Sequence, residues 1–186
     1  MKLLVILATI LSSVLTNLEQ KTLQTDFTLS VSEEVNQPIN YTGTVVLNGE
    51  RFRINLFGLD AAYDGQTLYI YSAETDELTL SHPTEQELLE TNPLLYARYL
   101  ADRCTVTEKM ADDGRCTYIT LVPKDPTDPL TRLVMRVRNN DLMPLSIEMR
   151  EGKTVSTLRF TNPAFVTTET EYILQPEKET FVNDLR

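Results

Sequence analysis

The sequence predicts a mainly β protein with helices, a meander of roughly ten antiparallel strands preceded by one helix and interrupted by a short helical pair. Three observations predict it. Apolar and polar residues alternate over most of the chain, glycine after Asn, Asp or Glu punctuates the alternating runs, and one stretch, residues 84–102, breaks the two-residue period. At 186 residues the chain is long enough for one domain with a true core and too short for two.

The strands come first in the argument because they make up most of the chain. Phe27, Leu29 and Val31 alternate with polar neighbours, as do Tyr41, Val45 and Leu47 around Gly43, and then Phe52, Ile54 and Leu56 against Arg51, Arg53 and Asn55. Alternation of this kind means one buried and one wet face, the antiparallel habit. Leu68 and Ile70, Leu78 and Leu80, Leu133, Met135 and Val137, Leu145, Ile147 and Met149, and Val155, Leu158 and Phe160 continue the series. Asn48-Gly49, Asp64-Gly65, Asp113-Gly114 and Glu151-Gly152 stand between the runs, and glycine there supplies the positive φ of a tight hairpin turn. Successive strands are therefore expected to be mostly hairpin neighbours.

The break in the pattern reads as two short helices. Thr84 followed by Glu87 fits a capping box, and Asn92-Pro93 supplies a second N-cap with proline at the first helical position. Leu88, Leu89, Leu94, Leu95, Tyr99 and Leu100 make their faces apolar. Helices this short need an apolar support, and the concave sheet face is the candidate. Two readings follow: a static insert that completes the core, or a movable lid over a pocket.

At the N-terminus, Met1-Lys2 and the apolar run from Leu3 to Leu11 have the make-up of an export signal. Leu7, Ile10, Leu11, Val14, Leu15 and Leu18 also recur at helical spacing, so the same stretch reads as an amphipathic helix of the mature fold. Both readings are compatible if residues 1–9 are a signal remnant and residues 10–186 the domain. Cys104 and Cys116 flank a turn at Asp112-Asp113-Gly114. Cys104 then lies about 20 Å along its strand from the turn, at ~3.3 Å per residue, too far for a disulfide.

Composition narrows the function classes. A formal net charge of −10 disfavours nucleic acid and anionic lipid surfaces as partners. The single histidine, His82, precedes Pro83 in a loop without a nucleophile motif nearby, and no metal-ligand cluster or phosphate-binding loop is present in the sequence. No catalytic residue, metal or cofactor is expected. The acidic pairs Asp112-Asp113 and Glu33-Glu34 read as solvated charge in turns and strand ends.

Several stretches, in their order, resemble the periplasmic outer-membrane lipoprotein carrier (LolA-like) family. These are LQTDFTLSV, GTVVLNGERFRINL, YDGQTLYIYSAETDELTL, residues 130–160 and a closing YILQP, and Asp64-Gly65-Gln66-Thr67-Leu68 is the most specific of them. The resemblance implies a curved sheet forming an unclosed β-barrel, lidded by the N-terminal helix and the helical pair, with the acyl chains of lipoproteins held on its concave face. It implies a monomer in the periplasm whose partners are acylated lipoproteins or other lipids, an inner-membrane release complex and an outer-membrane acceptor. The ligand-binding set would be Phe52, Ile54, Leu56, Leu68, Ile70, Leu88, Leu89, Leu94, Leu95, Leu133, Met135, Ile147 and Met149. One departure stands out: where the family has an Arg-Pro pair whose arginine helps latch the lid, this chain has Asn48-Gly49. Arg51 and Arg53 do not replace it, because alternation turns them toward solvent. The alternative is a lipid- or protein-sensing module on the same fold, without a transport role.

Overall fold

The computed structural model describes residues 9–33, 36–167, 170–175 and 180–186, without the side chains of Glu90, Pro93 and Leu94. The first eight residues, and with them most of the export-signal stretch, lie outside the described residues. Helix α1 (Ile10–Gln20) leads into strands β1 (Thr22–Glu33), β2 (Ile39–Asn48), β3 (Arg51–Leu56), β4 (Leu59–Tyr63), β5 (Leu68–Ser72) and β6 (Glu77–Ser81). Helices α2 (Glu85–Thr91) and α3 (Pro93–Arg103) follow, then β7 (Cys104–Met110), β8 (Cys116–Pro123), β9 (Leu130–Arg138), β10 (Met143–Glu151), β11 (Thr154–Val166) and β12 (Phe181–Asp184).

All the strands form one sheet in the order β12-β6-β5-β4-β3-β2-β1-β11-β10-β9-β8-β7. Its two edges do not pair, so this is an unclosed barrel, mainly β, with the helices on its inner face, as the sequence predicts. The longest strands, β1 and β11, pair at the centre. Opposite Thr25, β11 carries two residues, Asn162 and Pro163, and Asn162 has φ 52°. A bulge of this kind bends a strand and increases its twist. The Thr25 hydroxyl spans the irregularity, donating to the carbonyls of Asp26 at 2.7 Å and Thr161 at 3.0 Å.

The turns follow their glycines. Asp64 accepts from the amides of Gln66 and Thr67, each at 2.8 Å, and from the Tyr69 hydroxyl at 3.2 Å, while Gly65 takes φ 104°. Burial pushes the Asp64 carboxyl up, but these donors outweigh it and hold the group below its ordinary range. The Asp-Gly-x-Thr-Leu stretch is thus a self-bonded hairpin turn. Cys104 stands opposite Pro123 and Cys116 opposite Arg138, at far ends of β8, and both thiols are free and buried.

The chain departs from the expected meander in three places. Among the described residues there are twelve strands rather than about ten; the short β4, Leu-Asp-Ala-Ala-Tyr, and β12 carry little alternation to read. The YILQP stretch is not the closing strand, since residues 172–175 have no ladder partner. Tyr172 and Leu174 alternate because they are buried against the outer face, Leu174 beside Ala62, Tyr69, Leu78 and Leu80, and Tyr172 under the Arg51 guanidinium at 5.0 Å. Having crossed that face, the chain adds β12 parallel to β6, with Phe181 N–H donating to Asp76 O at 3.0 Å and Leu185 N–H to Leu80 O at 2.8 Å.

The main core lies between the concave face and the helices. α1 buries Leu11, Val14, Leu15 and Leu18, α3 buries Ala97 and Leu100, and the strands contribute Phe52, Ile119, Leu121 and Met135 among others. Gly43 is needed for this arrangement. It faces Phe27 across β1 and β2, and a Cβ there would meet the Asn55 carbonyl oxygen and come within 2.6 Å of the Phe27 ring. Phe27 lies over the glycine and on into the core. Gly43→Val should therefore destabilise the protein by about 1–3 kcal/mol through overpacking, read as a lower urea midpoint with an unchanged slope; a midpoint equal to that of the parent protein would refute the packing role.

Candidate functional site: an apolar cavity under the helices

Between sheet and helices the core leaves a cavity of ≈ 280 Å³. Its floor is the concave face: Leu23, Phe27 and Leu29 of β1, Val45 and Leu47 of β2, and Ile54 and Leu56 of β3. On the other side of β1 come Ser156, Leu158 and Phe160 of β11, Pro144, Ile147 and Met149 of β10, and Leu133 and Met135 of β9. The roof is Leu18 of α1, Leu89 and Thr91 of α2, and Tyr96 and Ala97 of α3. Among the described residues, only Thr91, Tyr96 and Ser156 bring polar side-chain atoms to this lining, and the Thr91 hydroxyl is already bonded to the Glu87 carbonyl at 2.8 Å. Such a surface has no chemistry to offer a polar substrate and much area to offer an alkyl chain.

The roof is positioned by caps. Thr84 and Glu87 form the predicted capping box, with Thr84 N–H donating to the Glu87 carboxylate at 2.7 Å. At the junction of α2 and α3, fully buried Asn92 accepts from Leu95 N–H at 3.3 Å and donates through Nδ2 to the Glu50 carbonyl at 3.0 Å. In the same turn, Gly49 N–H donates to the Leu18 carbonyl of α1 at 3.1 Å. The β2–β3 turn, where the absence of an arginine latch was expected, therefore ties both helical elements by backbone groups. Asn48 stays within the sheet, bonded to Thr22 and Arg51, and Arg53 pairs on the outer face with Asp60 at 2.7 Å. α1 is tied further by Glu19 to Arg98 at 2.9 Å and by the Glu108 carboxylate accepting from Leu11 N–H at 3.0 Å, a negative group at a helix N-terminus.

The structure divides the candidate residues. Ile54, Leu56, Leu89, Leu133, Met135, Ile147 and Met149 come together on the cavity wall. Phe52 and Leu68 are sealed in the core, and Ile70 and Leu88 pack half-buried against it. Leu95 is half-buried on α3, and the Leu94 side chain lies outside the described residues. Sequence reasoning overlooked the walls from β1, β2 and β11, although their alternation was visible, because nothing in one strand's pattern tells which strands lie nearest the gap. His82 sits exposed in its loop, Nδ1 3.2 Å from the Gln66 carbonyl, away from the cavity.

A second concavity, of ≈ 390 Å³, lies on the outer face under residues 171–175. Arg53, Asp60, Glu171 and Gln175 contribute to its lining, so it suits water rather than an alkyl chain.

Comparison with solved structures places the fold. An uncharacterized conserved protein from Thermus thermophilus matches with a TM-score of 0.58 at 13% identity, over 94% of this chain and 96% of that one. MucB matches with a TM-score of 0.54 at 15% identity, over 93% of this chain and 64% of MucB. The chain shares the fold of these two proteins. A LolA superfamily protein from Nitrosomonas europaea is also among the structural neighbours, at 11% identity and a TM-score of 0.42, over 84% of this chain and 94% of that one. The chain matches neither a protein-family model nor a curated protein.

Two outcomes test the site. Leu100→Ala, in the sealed core, should cost about 2–5 kcal/mol, whereas Leu89→Ala, beside an existing void, should cost less than half as much; equal losses in urea unfolding would mean the void contributes nothing. The Tyr96 phenol, pushed up to about 12 by burial and then by the charges of Glu151 and Asp128, should ionise later than an ordinary tyrosine. Because its folded pKa lies above the ordinary value of 10.0, its contribution to stability is full below pH 10 and is lost as pH rises toward 12. Ultraviolet titration should accordingly show a late phenolate phase that Tyr96→Phe removes.

Proposed function

We propose that this protein holds the acyl chains of lipoproteins or other lipids in the cavity beneath α1–α3 and carries them through the periplasm toward the outer membrane. The observation that carries this reading is the cavity, walled by aliphatic and aromatic side chains on the strands and all three helices. Its size supports a single alkyl chain as the occupant, since ≈ 280 Å³ lies near the lower end of small-ligand pockets, about 300–1,000 Å³. Each methylene shielded there is worth about 0.8 kcal/mol, so a carrier must close around its load and yet open at each membrane.

The helical roof suits that demand. α2 is only seven residues long and rests on α3 more than on the sheet, so shifting it breaks few contacts. Leu88 and Leu89 would move with it as a lid, with Leu94 and Leu95 on the following helix, and Phe52, Leu68 and Ile70 supporting the floor from the core beside it. Opening would be driven by an inner-membrane release complex at loading and an outer-membrane acceptor at delivery, the carrier itself being a monomer without catalytic role. Among the described residues no helix is long and apolar enough to cross a membrane.

A fluorescent fatty acid should bind to the native protein with micromolar-range affinity and be displaced by a diacylated or triacylated peptide. Ile54→Glu should abolish binding, because an unpaired carboxylate facing an alkyl chain must be desolvated or protonated. Fractionation of the source cells should place the protein in the periplasm with its N-terminal residues trimmed. Unchanged affinity in folded Ile54→Glu protein, or a cytoplasmic protein retaining Met1, would sink the proposal.

A further inference from the structure

The outer face of the sheet carries a charge pattern opposite to that of the whole chain. One row across the strands runs Lys109, Tyr118, Arg136, Ser146 and Arg159, each residue opposite the next on β7 through β11. Two side chains further along the same face, Arg132 of β9 stands directly opposite Arg150 of β10. These five cations are exposed, in a protein whose net charge is −10. Glu148 meets Arg132 at 3.2 Å, while Lys109, Arg136, Arg150 and Arg159 form no ion pair with any described residue. Other acids stand on or beside this face: Asp141, paired with Arg138, Glu33, which shares a surface hollow with Arg150, and Asp26, opposite Thr161 on β1. Like charges directly opposite in a ladder are destabilising, so Arg132 opposite Arg150 costs the isolated fold something that the Arg132–Glu148 pair offsets only in part.

We propose that the outer face of β7–β11 is a docking surface for an acidic polypeptide segment. Charge complementarity sets the sign, and four of the five cations are arginines, whose planar fork matches a carboxylate in a way that lysine cannot. Spacing suits an extended chain. Arg132 and Arg136, four residues apart on one strand, are separated by about 13 Å, the repeat of side chains i and i+4 in an extended peptide lying alongside. Arg136 and Arg159, two strands apart, are separated by roughly 10 Å, so carboxylates of one segment, or of two neighbouring turns, can reach both. A planar anionic bilayer fits less well, because it would touch an outward-bulging face along a narrow line, whereas a peptide can follow the curvature. The surface lies opposite the apolar cavity, so partner and lipid can be held together, and neither proposal depends on the other.

The test uses the full chain and fluorescein-labelled poly-glutamate as probe. Native protein should bind it in low salt and release it as salt rises. The double variant Arg136→Ser, Arg159→Ser should bind about tenfold more weakly, while Arg115→Ser, an exposed arginine in the β7–β8 turn, should bind as native does. Far-ultraviolet dichroism and fatty-acid affinity of the double variant should match those of native protein, which separates a lost docking surface from a lost fold or a failed lipid site. Absent or salt-insensitive poly-glutamate binding, full binding by the double variant, or arginine-dependent capture of phosphatidylglycerol vesicles in preference to poly-glutamate would each overturn the proposal.

Discussion

The need to cover one face of an open sheet governs this molecule. A barrel that closed on itself would bury its inner side chains against each other, but here the edges β7 and β12 stay apart. The row of large apolar groups on the concave side would be left wet. α1, α2 and α3 supply the missing wall. Because these helices are short, they are stable only as long as the face beneath them exists, so sheet and helices form one cooperative unit. The fit between a curved sheet and straight helices is inexact, and the remaining space is the cavity.

Small devices keep that space open. The bulge at Asn162 and Pro163 and the bare Gly43 under Phe27 shape the floor, and the Asn92 amide fixes the roof to the Glu50 carbonyl. None of them lines the cavity. Each sets the separation between floor and roof, which decides whether the interior is a solid core or a container. Charge is handled in the same segregated way: pairs such as Arg53 with Asp60 and Arg138 with Asp141 stay on the surface, and the interior is left to apolar contact.

Much of this was legible in the sequence because two-residue and helical periods are local signals. Alternation and the X-Gly turns located the antiparallel strands, and Thr84, Glu87, Asn92 and Pro93 located the helical pair through capping chemistry that needs only neighbouring residues. What could not be read depends on distant partners. Tyr172 and Leu174 alternate like a strand yet lie on the outer face without a ladder, and the parallel pairing of β12 with β6 has no local mark. The same limit applied to the cavity. The period separated inward from outward side chains, but whether an inward one meets the void, as Ile54 does, or solid core, as Phe52 does, is settled by helices that come much later in the chain. The Asn48-Gly49 turn is a further case: the sequence indicated that an arginine latch was absent, but not that the backbone of that turn would bind Asn92 and Leu18.

The return of the chain across the outer face to β12 has a consequence for how the molecule behaves when that return is missing or cut away. Without residues 170–186, β6 would present a bare row of backbone donors and acceptors at the sheet edge, next to an uncovered apolar patch formed by Ala62, Tyr69, Leu78 and Leu80. Such an edge is a template for the strand of another molecule. A chain lacking this return would thus be sticky rather than merely less stable, and β12 acts as the molecule's guard against self-association.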